Sequence, residues 1–200
     1  VGGIDENHTA AIQVGHGTRL VGIERVQSQG ALAQTSSPTD VGINGDGYFQ
    51  VQQANGQVSY TRDGSFQISD QGSLVTSDGL TVVPGIKIPP NSSNLTISAN
   101  GIVTATAAGA STSTELGRIE LARFANPAGL LSLGDNLFQA TAASGDAVAR
   151  FPQDDGIGAL QQGYLEGSNV DIVQEMVNMI DAQRAYEINS KAISNSDTMM

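Results

Sequence analysis

The sequence predicts a mainly β protein: a small meander or barrel-like β domain, preceded by an extended β-ribbon and followed by one long C-terminal α-helix. Two observations predict this fold. Asn-Gly and Asp-Gly pairs recur through the middle of the chain, and no Gly or Pro follows Gly167. Because these residues mark turns and interrupt helices, the chain divides into a ribbon over residues 1–32, a β domain over 33–164 and a helical arm over 165–200.

The composition excludes several classes of function. A formal net charge of -11 with only nine basic residues argues against nucleic-acid binding, which requires clustered Lys and Arg. No apolar run approaches the roughly 18 residues that a membrane span requires, so we expect no membrane insertion. The chain has no Cys, which excludes disulfides, thiolate metal sites and a Cys nucleophile.

The first part of the chain is predicted to be extended. Residues 11–32 alternate well enough for two strand-like segments around Gly15-His16-Gly17, and residues 33–40 are a Ser/Thr/Pro connector. His8 and His16 are the only histidines. Since no nucleophile or carboxylate can be assigned to either, we interpret them as surface residues rather than catalytic groups.

The middle of the chain is dense with turn signals. Each of its Asx-Gly pairs favours the positive φ angles of tight hairpin turns. The pairs are Asn44-Gly45, Asp46-Gly47, Asn55-Gly56, Asp63-Gly64, Asp78-Gly79 and Asn100-Gly101. Between and beyond them the alternation predicts strands over 48–52, 57–61, 65–69, 73–77, 80–84, 86–89, 95–99 and 102–107. A flexible tip over 107–114, a strand over 118–124 and a turn at 126–129 complete the prediction for this domain.

The final segment predicts a helix. Ser168 with Asp171 three residues later resembles a capping box, and Asn169 is an alternative cap, so the helix should start within a residue of Val170. From Ile172 to Met200 a heptad seam runs in unbroken steps of four and three, and a second apolar line beside it widens the face. The residues predicted to carry assembly are Ile172, Met176, Met179, Ile180, Gln183, Tyr186 and Ile193. No upstream segment offers a second helix, so the partner is expected to lie outside this chain.

Candidate catalytic and metal sites are weak. Asp40, Asn44 and Asp46 miss the spacing of a calcium loop, and Asp154-Asp155 is typical of a solvated loop. The two carboxylates of a glycoside hydrolase need not be neighbours in sequence, so a glycan-cutting β domain stays an alternative. The scarcity of aromatic residues, at 4%, disfavours it. We therefore expect no enzyme activity, no cofactor and no metal.

Several motifs resemble one known family, the bacterial flagellar rod and hook proteins. The resemblance rests on residues 41–51 (VGINGDGYFQV), 60–66 (YTRDGSF), 126–130 (NPAGL) and the whole segment from Leu165 onward. Within that family, MVNMI at 176–180 and YEINSK at 186–191 are most similar to the distal-rod members. The family's N-terminal Asn-Asn-Leu-Ala-Asn motif is absent, and its C-terminal helix usually runs beyond Met200. The resemblance thus predicts that the chain is shorter than the family at both ends.

The resemblance implies a structural function. It predicts subunits that are exported unfolded by the flagellar type III apparatus and stack helically into a rigid tube across the periplasm, which transmits torque to the hook. The C-terminal helix would line the inner wall and the β domain the outer wall. The implied partners are further copies of the chain, hook and proximal-rod proteins, and the surrounding P and L rings. A hook or proximal-rod paralogue of the same architecture is the alternative within the family.

Overall fold

The computed structural model describes residues 28–107 and 112–198. Most of the predicted ribbon, with both histidines, lies in the segment 1–27 outside the described residues, as does the centre of the predicted tip at 108–111. The strands in chain order are β1 Leu32–Gln34, β2 Val41–Asn44, β3 Tyr48–Gln52, β4 Val58–Thr61, β5 Phe66–Ile68, β6 Leu74–Thr76, β7 Thr81–Val82, β8 Ser93–Ile97, β9 Ile102–Thr106, β10 Ser113–Arg118, β11 Leu121–Arg123, β12 Leu131–Gly134, β13 Leu137–Gln139, β14 Val148–Arg150, β15 Ala159–Gln162 and β16 Tyr164–Glu166. A 3₁₀ helix spans Pro127–Gly129, and one α-helix, α1, spans Ile172–Thr198.

The predicted fold class, mainly β with a single C-terminal helix, is confirmed. The largest sheet has nine strands in the order β12-β13-β4-β3-β7-β6-β5, with β11 beside β3 and β14 beside β11. Its end strands, β12 and β5, do not pair with each other in the part of the chain that the structure describes. The sheet is therefore open and antiparallel, and several of its neighbouring strands are not consecutive in the chain. Strands β10-β9-β8, β15-β2 and β1-β16 form three smaller sheets.

Strand β3 lies at the centre of the large sheet and separates two hydrophobic clusters. Its side chains alternate, because successive residues of a strand point to opposite faces. Phe49 and Val51 enter the main core, while Tyr48 enters a smaller aromatic core. The main core comprises Val41, Ile43, Phe49, Val51, Phe66, Leu74, Val82, Ile86, Ile88, Ile97, Val103, Ile119, Leu121, Ile157 and Leu160. The aromatic core comprises Tyr48, Tyr60, Ala122, Phe124 and Leu130.

Edge-to-face ring contacts hold both clusters. Phe49 meets Phe66 at a centroid distance of 4.9 Å, and Tyr60 meets Phe124 at 4.8 Å. Both geometries are the ones that the aromatic quadrupole favours. Each face of the central strand β3 thus packs into a hydrophobic cluster that is built within the β domain.

Three of the predicted turns are confirmed as hairpins. Asn55-Gly56 joins β3 to β4, Asp78-Gly79 joins β6 to β7, and Asn100-Gly101 joins β8 to β9. All three glycines have positive φ, between 80° and 87°. The local turn chemistry was therefore sufficient to predict these reversals.

Other predicted turns are not hairpins. Gly45 and Gly47 have positive φ, but the strands on either side of them do not pair with each other: β2 pairs with β15, and β3 pairs with β4, β7 and β11. The turn at Asp63-Gly64 likewise joins β4 to β5, which lie apart in the large sheet. At Gly64 an added Cβ would stand 1.7 Å from the Val41 carbonyl oxygen. This glycine is required for close backbone approach, and the prediction of a positive-φ hairpin there was wrong.

Two predicted strands also differ. Residues 86–89 contribute only one isolated bridge, between Lys87 and Ser73, although Ile86 and Ile88 both point into the main core, as the alternation of a strand would place them. The strand predicted over 118–124 is interrupted: β10 ends at Arg118 in the three-stranded sheet, and β11 starts at Leu121 in the large sheet. Between them Ile119 is fully buried, and its amide donates to the Gly101 carbonyl at 2.8 Å. The chain thus crosses from one sheet to the other where a single strand was expected.

Candidate assembly surface

Helix α1 begins later than the sequence predicts. The Asp171 carboxylate accepts hydrogen bonds from the Val173 and Gln174 amides, at 2.9 and 3.3 Å, which is the geometry of an N-cap. Asp171 is thus one of the three predicted cap residues, and the other two, Ser168 and Asn169, lie before it. Ser168 accepts the Val170 amide, and Asn169 donates to the Ser28 carbonyl and hydroxyl. The bonds of Asn169 hold the chain beside residues 28–31, the segment that precedes β1 and is called here the incoming segment. Helical geometry therefore starts only at Ile172.

All the predicted assembly residues lie on α1 and are exposed. Ile172, Met176, Met179 and Ile180 follow one another in the first turns, and Ile180, the least exposed of the predicted apolar set, is still 47% exposed. Gln183, Tyr186 and Ile193 continue the seam and are exposed as well. The spacing of four and three places the seam residues on one face of the helix, and Ile180 lies beside them in the second apolar line.

The second apolar line is equally uncovered. Val173 and Val177 are exposed beside the seam, and every helix residue from 172 to 195 is exposed. Burying a side chain such as Val, Ile or Met stabilises a fold by about 1.5–3 kcal/mol, and α1 gains none of this from the β domain. Helices stay marginal in water without an apolar partner. The face therefore has the character of an assembly surface.

A two-stranded sheet, here called the neck, connects the helix to the β domain. It consists of β1 and β16, which pair antiparallel with Ala33 opposite Leu165. The pairing extends past both strands, since the Gly167 amide donates to the Ala31 carbonyl at 2.8 Å and the Thr35 amide to the Gly163 carbonyl at 2.6 Å. The predicted connector over 33–40 thus begins inside a strand, and the predicted boundary at 164/165 falls within β16.

Glu166 is the last residue of β16 and ties the neck to the β domain. Its Oε2 accepts a charge-assisted hydrogen bond from Arg62 Nε at 2.8 Å, and its Oε1 accepts the Gly30 amide at 2.9 Å. Arg62 also donates through Nη1 to the Gly47 carbonyl and through Nη2 to the Gly45 carbonyl. The planar guanidinium therefore binds three acceptors at once and links Glu166 of the neck to the loop between β2 and β3.

The Arg62 guanidinium also lies over the Tyr48 ring, 5.8 Å from its centroid. Burial raises the pKa of the Tyr48 phenol above its usual value, an effect that the Arg62 charge partly opposes and the Asp46 charge reinforces. Burial alone raises the pKa of Tyr60. Both phenols therefore stay neutral at physiological pH, and neither is activated as a base.

A cleft of about 600 Å³ lies between the neck and the β domain. Its walls mix apolar and polar side chains, and its ionisable residues include the mutually paired Arg62 and Glu166. The lining residues are Ser28, Arg62, Asp63, Ser65, Asn136, Phe138, Leu165, Glu166, Gly167, Ser168 and Asn169. Within the described residues no group of three or more His, Asp or Glu is placed to hold a metal ion, and no helix is long and apolar enough to cross a membrane.

Comparison with known proteins places this architecture in a family. Residues 42–105 match the family described as the flagellar hook protein FlgE/F/G D1 domain, and residues 161–200 match the flagellar basal body rod FlgEFG protein C-terminal family. The flagellar basal-body rod protein FlgG of Buchnera aphidicola subsp. Schizaphis graminum is 49% identical over 197 residues, which cover 98% of this chain and 76% of that protein. The chain belongs to the FlgG family of flagellar basal-body rod proteins.

Other FlgG relatives are similar across most of their length. The protein of Borreliella burgdorferi is 50% identical over 94% of this chain and 72% of its own length. That of Bacillus subtilis is 39% identical over 96% and 74%. The two matched regions correspond to β2–β9 and to the neck strand β16 with α1, so the FlgG C-terminal region is the unit that carries the exposed seam.

The sequence did not reveal the Arg62–Glu166 pair. The two residues are 104 positions apart, and nothing in the spacing of either predicts the other. Arg62 could be singled out only as a basic residue in an acidic chain, because five cations serve the whole stretch from 28 to 166. The helix seam, in contrast, is a periodic local pattern and could be predicted directly.

Proposed function

We propose that this FlgG-family chain is a structural subunit of the distal rod, which polymerises helically into a stiff tube and transmits torque to the hook without catalysis. In this proposal α1 packs against other helices in the inner wall, and the β domain forms the outer wall. The single observation that carries it is the uncovered apolar seam along the 27-residue helix. A heptad seam of this length is the pattern by which helices pack against one another.

The comparison within one organism favours FlgG over its paralogue. The FlgG of Caulobacter vibrioides is 46% identical to this chain, whereas the FlgF of the same organism is 36% identical. Both comparisons cover most of this chain, at 94% and 88%. This supports the distal-rod assignment over a proximal-rod paralogue.

The remaining parts of the proposal follow from the family. We expect contacts with the hook, the proximal-rod proteins and the surrounding P and L rings, a location in the periplasm-spanning basal body, and export by the flagellar type III apparatus. Residues 1–32 would connect the inner helices to the β domain. A structural role for the residues at the neck cleft is supported by the ion pair between Arg62 and Glu166.

Charged substitutions on the seam test the proposal. The test uses a flagellated bacterium whose own gene for this protein is deleted and which expresses the full-length protein instead. Met176→Asp and Ile180→Asp together in that protein should prevent rod assembly and motility. The reason is that two carboxylates cannot be buried in an apolar helix contact without a large desolvation cost.

Asn178→Asp is the matched control. It lies two residues from both substituted positions, and at 100° per residue it faces about 160° away from each. It adds one carboxylate to the same turn, so it is matched to each single variant, Met176→Asp and Ile180→Asp, and we expect assembly and motility to persist. Intact rods in the double variant would refute an assembly function for the seam, provided that the β domain unfolds at the same urea concentration in every variant.

A further inference from the structure

The direction in which α1 leaves the β domain depends on the neck. No strand of the β domain covers the helix in the described residues, because the residues from 172 to 195 are all exposed. The chain enters the β domain beside Gly30 and leaves it beside Glu166, and these two residues are hydrogen-bonded to each other. Whatever orients the end of β16 therefore orients the start of the helix.

Two side chains fasten the neck to the same loop of the β domain, the β2–β3 connection. Arg62 donates to the carbonyls of Gly45 and Gly47, at 3.2 and 3.0 Å, while it pairs with Glu166. From the incoming segment, Gln29 donates to the Ile43 carbonyl at 2.8 Å and accepts the Gly45 amide at 3.0 Å. The segment before the β domain, through Gln29, and the segment after it, through Glu166 and Arg62, are thus linked independently to this loop.

The ion pair is placed where it can resist bending. The Arg62 and Glu166 side chains are 19% and 12% exposed, so solvent screens their attraction less than it would screen a surface pair. Of the three hydrogen-bond acceptors of the guanidinium, two are backbone carbonyls. A swing of the neck away from the β domain would break the hydrogen bond between Arg62 and Glu166, because the bonds to Gly45 and Gly47 hold the guanidinium in place on the β2–β3 loop.

We infer that Arg62 and Glu166 form a clamp that fixes the angle between α1 and the β domain. The inference deepens the proposed rod function, because in a tube the clamp would stiffen the joint between inner-wall helices and outer-wall domains. Arg62 and Glu166 are positioning residues: they act on the helix through the neck strands and the β2–β3 loop. Gln29 holds the incoming strand but does not replace the clamp on the outgoing one.

Distance measurement between two spin labels tests the clamp in the isolated chain. Because the sequence has no Cys, Gln67→Cys on β5 and Glu175→Cys in the first turn of α1, next to the neck, provide two unique and exposed labelling sites. We expect one narrow distance distribution in the parent. Glu166→Gln should roughly double its width, because the neutral amide loses the ion pair while retaining the size of the side chain.

Paired and matched variants make the result specific. Arg62→Gln should broaden the distribution as Glu166→Gln does, and the double variant should be no broader than either single one. Arg62→Lys, which keeps the charge but cannot bridge three acceptors, should be intermediate. Glu115→Gln makes the same chemical change on β10, outside the neck, and should leave the width unchanged.

An unchanged width in Glu166→Gln would overturn the clamp, and so would additive broadening in the double variant, since the two residues would then act separately. Equal urea midpoints of the β domain would show that each variant is folded. If Arg62→Gln does not fold, Arg62→Lys and Glu166→Gln still decide the question. The measurement requires no rod, so failure of the clamp is distinguishable from failure of the proposed function, which the seam variants test.

Discussion

Gly64→Ala should destabilise the β domain far more than its position in a turn suggests. An alanine Cβ at position 64 would lie 1.7 Å from the carbonyl oxygen and 2.7 Å from the carbonyl carbon of Val41, distances that real Cβ atoms essentially never show. The Val41 carbonyl is part of the backbone, so it cannot move aside by a side-chain rotation. It belongs to β2, where the Val41 amide donates to the Gly64 carbonyl at 3.0 Å and the Val41 side chain is fully buried.

The magnitude follows from what must move. Overpacking a closed core costs about 1–3 kcal/mol, and separating β2 from residue 64 removes a backbone hydrogen bond worth about 1 kcal/mol net. We expect a loss of about 3 kcal/mol in the free energy of unfolding. Urea denaturation followed by circular dichroism of the β signal measures it, with the slope of the transition checked for constancy.

Gly56→Ala is the matched control, because Asn55-Gly56 and Asp63-Gly64 look alike in sequence. No heavy atom lies within 4 Å of a Cβ at position 56, where φ is +83°. Gly56→Ala should therefore lower the free energy of unfolding only by the penalty for a left-handed backbone, about 1–2 kcal/mol. Asn at position 56 should recover part of that cost, whereas Asn at position 64 should be as damaging as Ala. A Gly64→Ala variant no less stable than Gly56→Ala would refute the close-approach argument.

Three further predictions concern the core, the phenols and the helix start. Phe49→Ala removes a fully buried ring from the main core and should lower the free energy of unfolding by about 4 kcal/mol in the same urea assay; a loss below about 1 kcal/mol would contradict the packing described. Burial raises the pKa of Tyr60 above its usual 10.0, so its contribution to stability is complete below pH 10 and is lost as the pH rises from there through the folded-state pKa. Tyr60→Phe should thus show a shallower alkaline decline in thermal midpoint, and an unchanged slope would contradict this. Asp171→Ala removes the acceptor of two helix-start amides and should cost α1 about 1 kcal/mol, seen as a smaller helical signal at 222 nm with an unchanged β-domain midpoint.

Local turn chemistry predicted where the chain reverses but not what each strand pairs with. Asn55-Gly56 and Asp78-Gly79 were predicted as hairpins, and both are. Asp63-Gly64 has the same signature, yet it joins strands that lie apart in the large sheet. Pairing depends on contacts between distant parts of the chain, such as Gly64 against Val41. A dipeptide contains no information about these contacts.

The same distinction separates the two parts of the candidate site. The seam on α1 could be predicted because helical periodicity is a property of neighbouring residues. The start of α1 was misplaced because Asn169 and Gly167 bind the incoming chain, a tertiary contact that overrides local capping preference. The pairing of Arg62 with Glu166 could not be predicted from the sequence, because it too is a tertiary contact.

The distribution of buried residues separates folding from assembly in this chain. Both hydrophobic clusters are built from residues between Val41 and Leu160, so the β domain closes its cores without any contribution from α1. The helix, in contrast, exposes its apolar face and gains no packing stability from the β domain. Substitutions at Met176 should therefore change assembly at constant β-domain stability, while Gly64→Ala should change stability first. Arg62 and Glu166 lie between these two regions, because their ion pair joins the β domain to the neck from which α1 continues, and the clamp we propose would couple folding to assembly at this point.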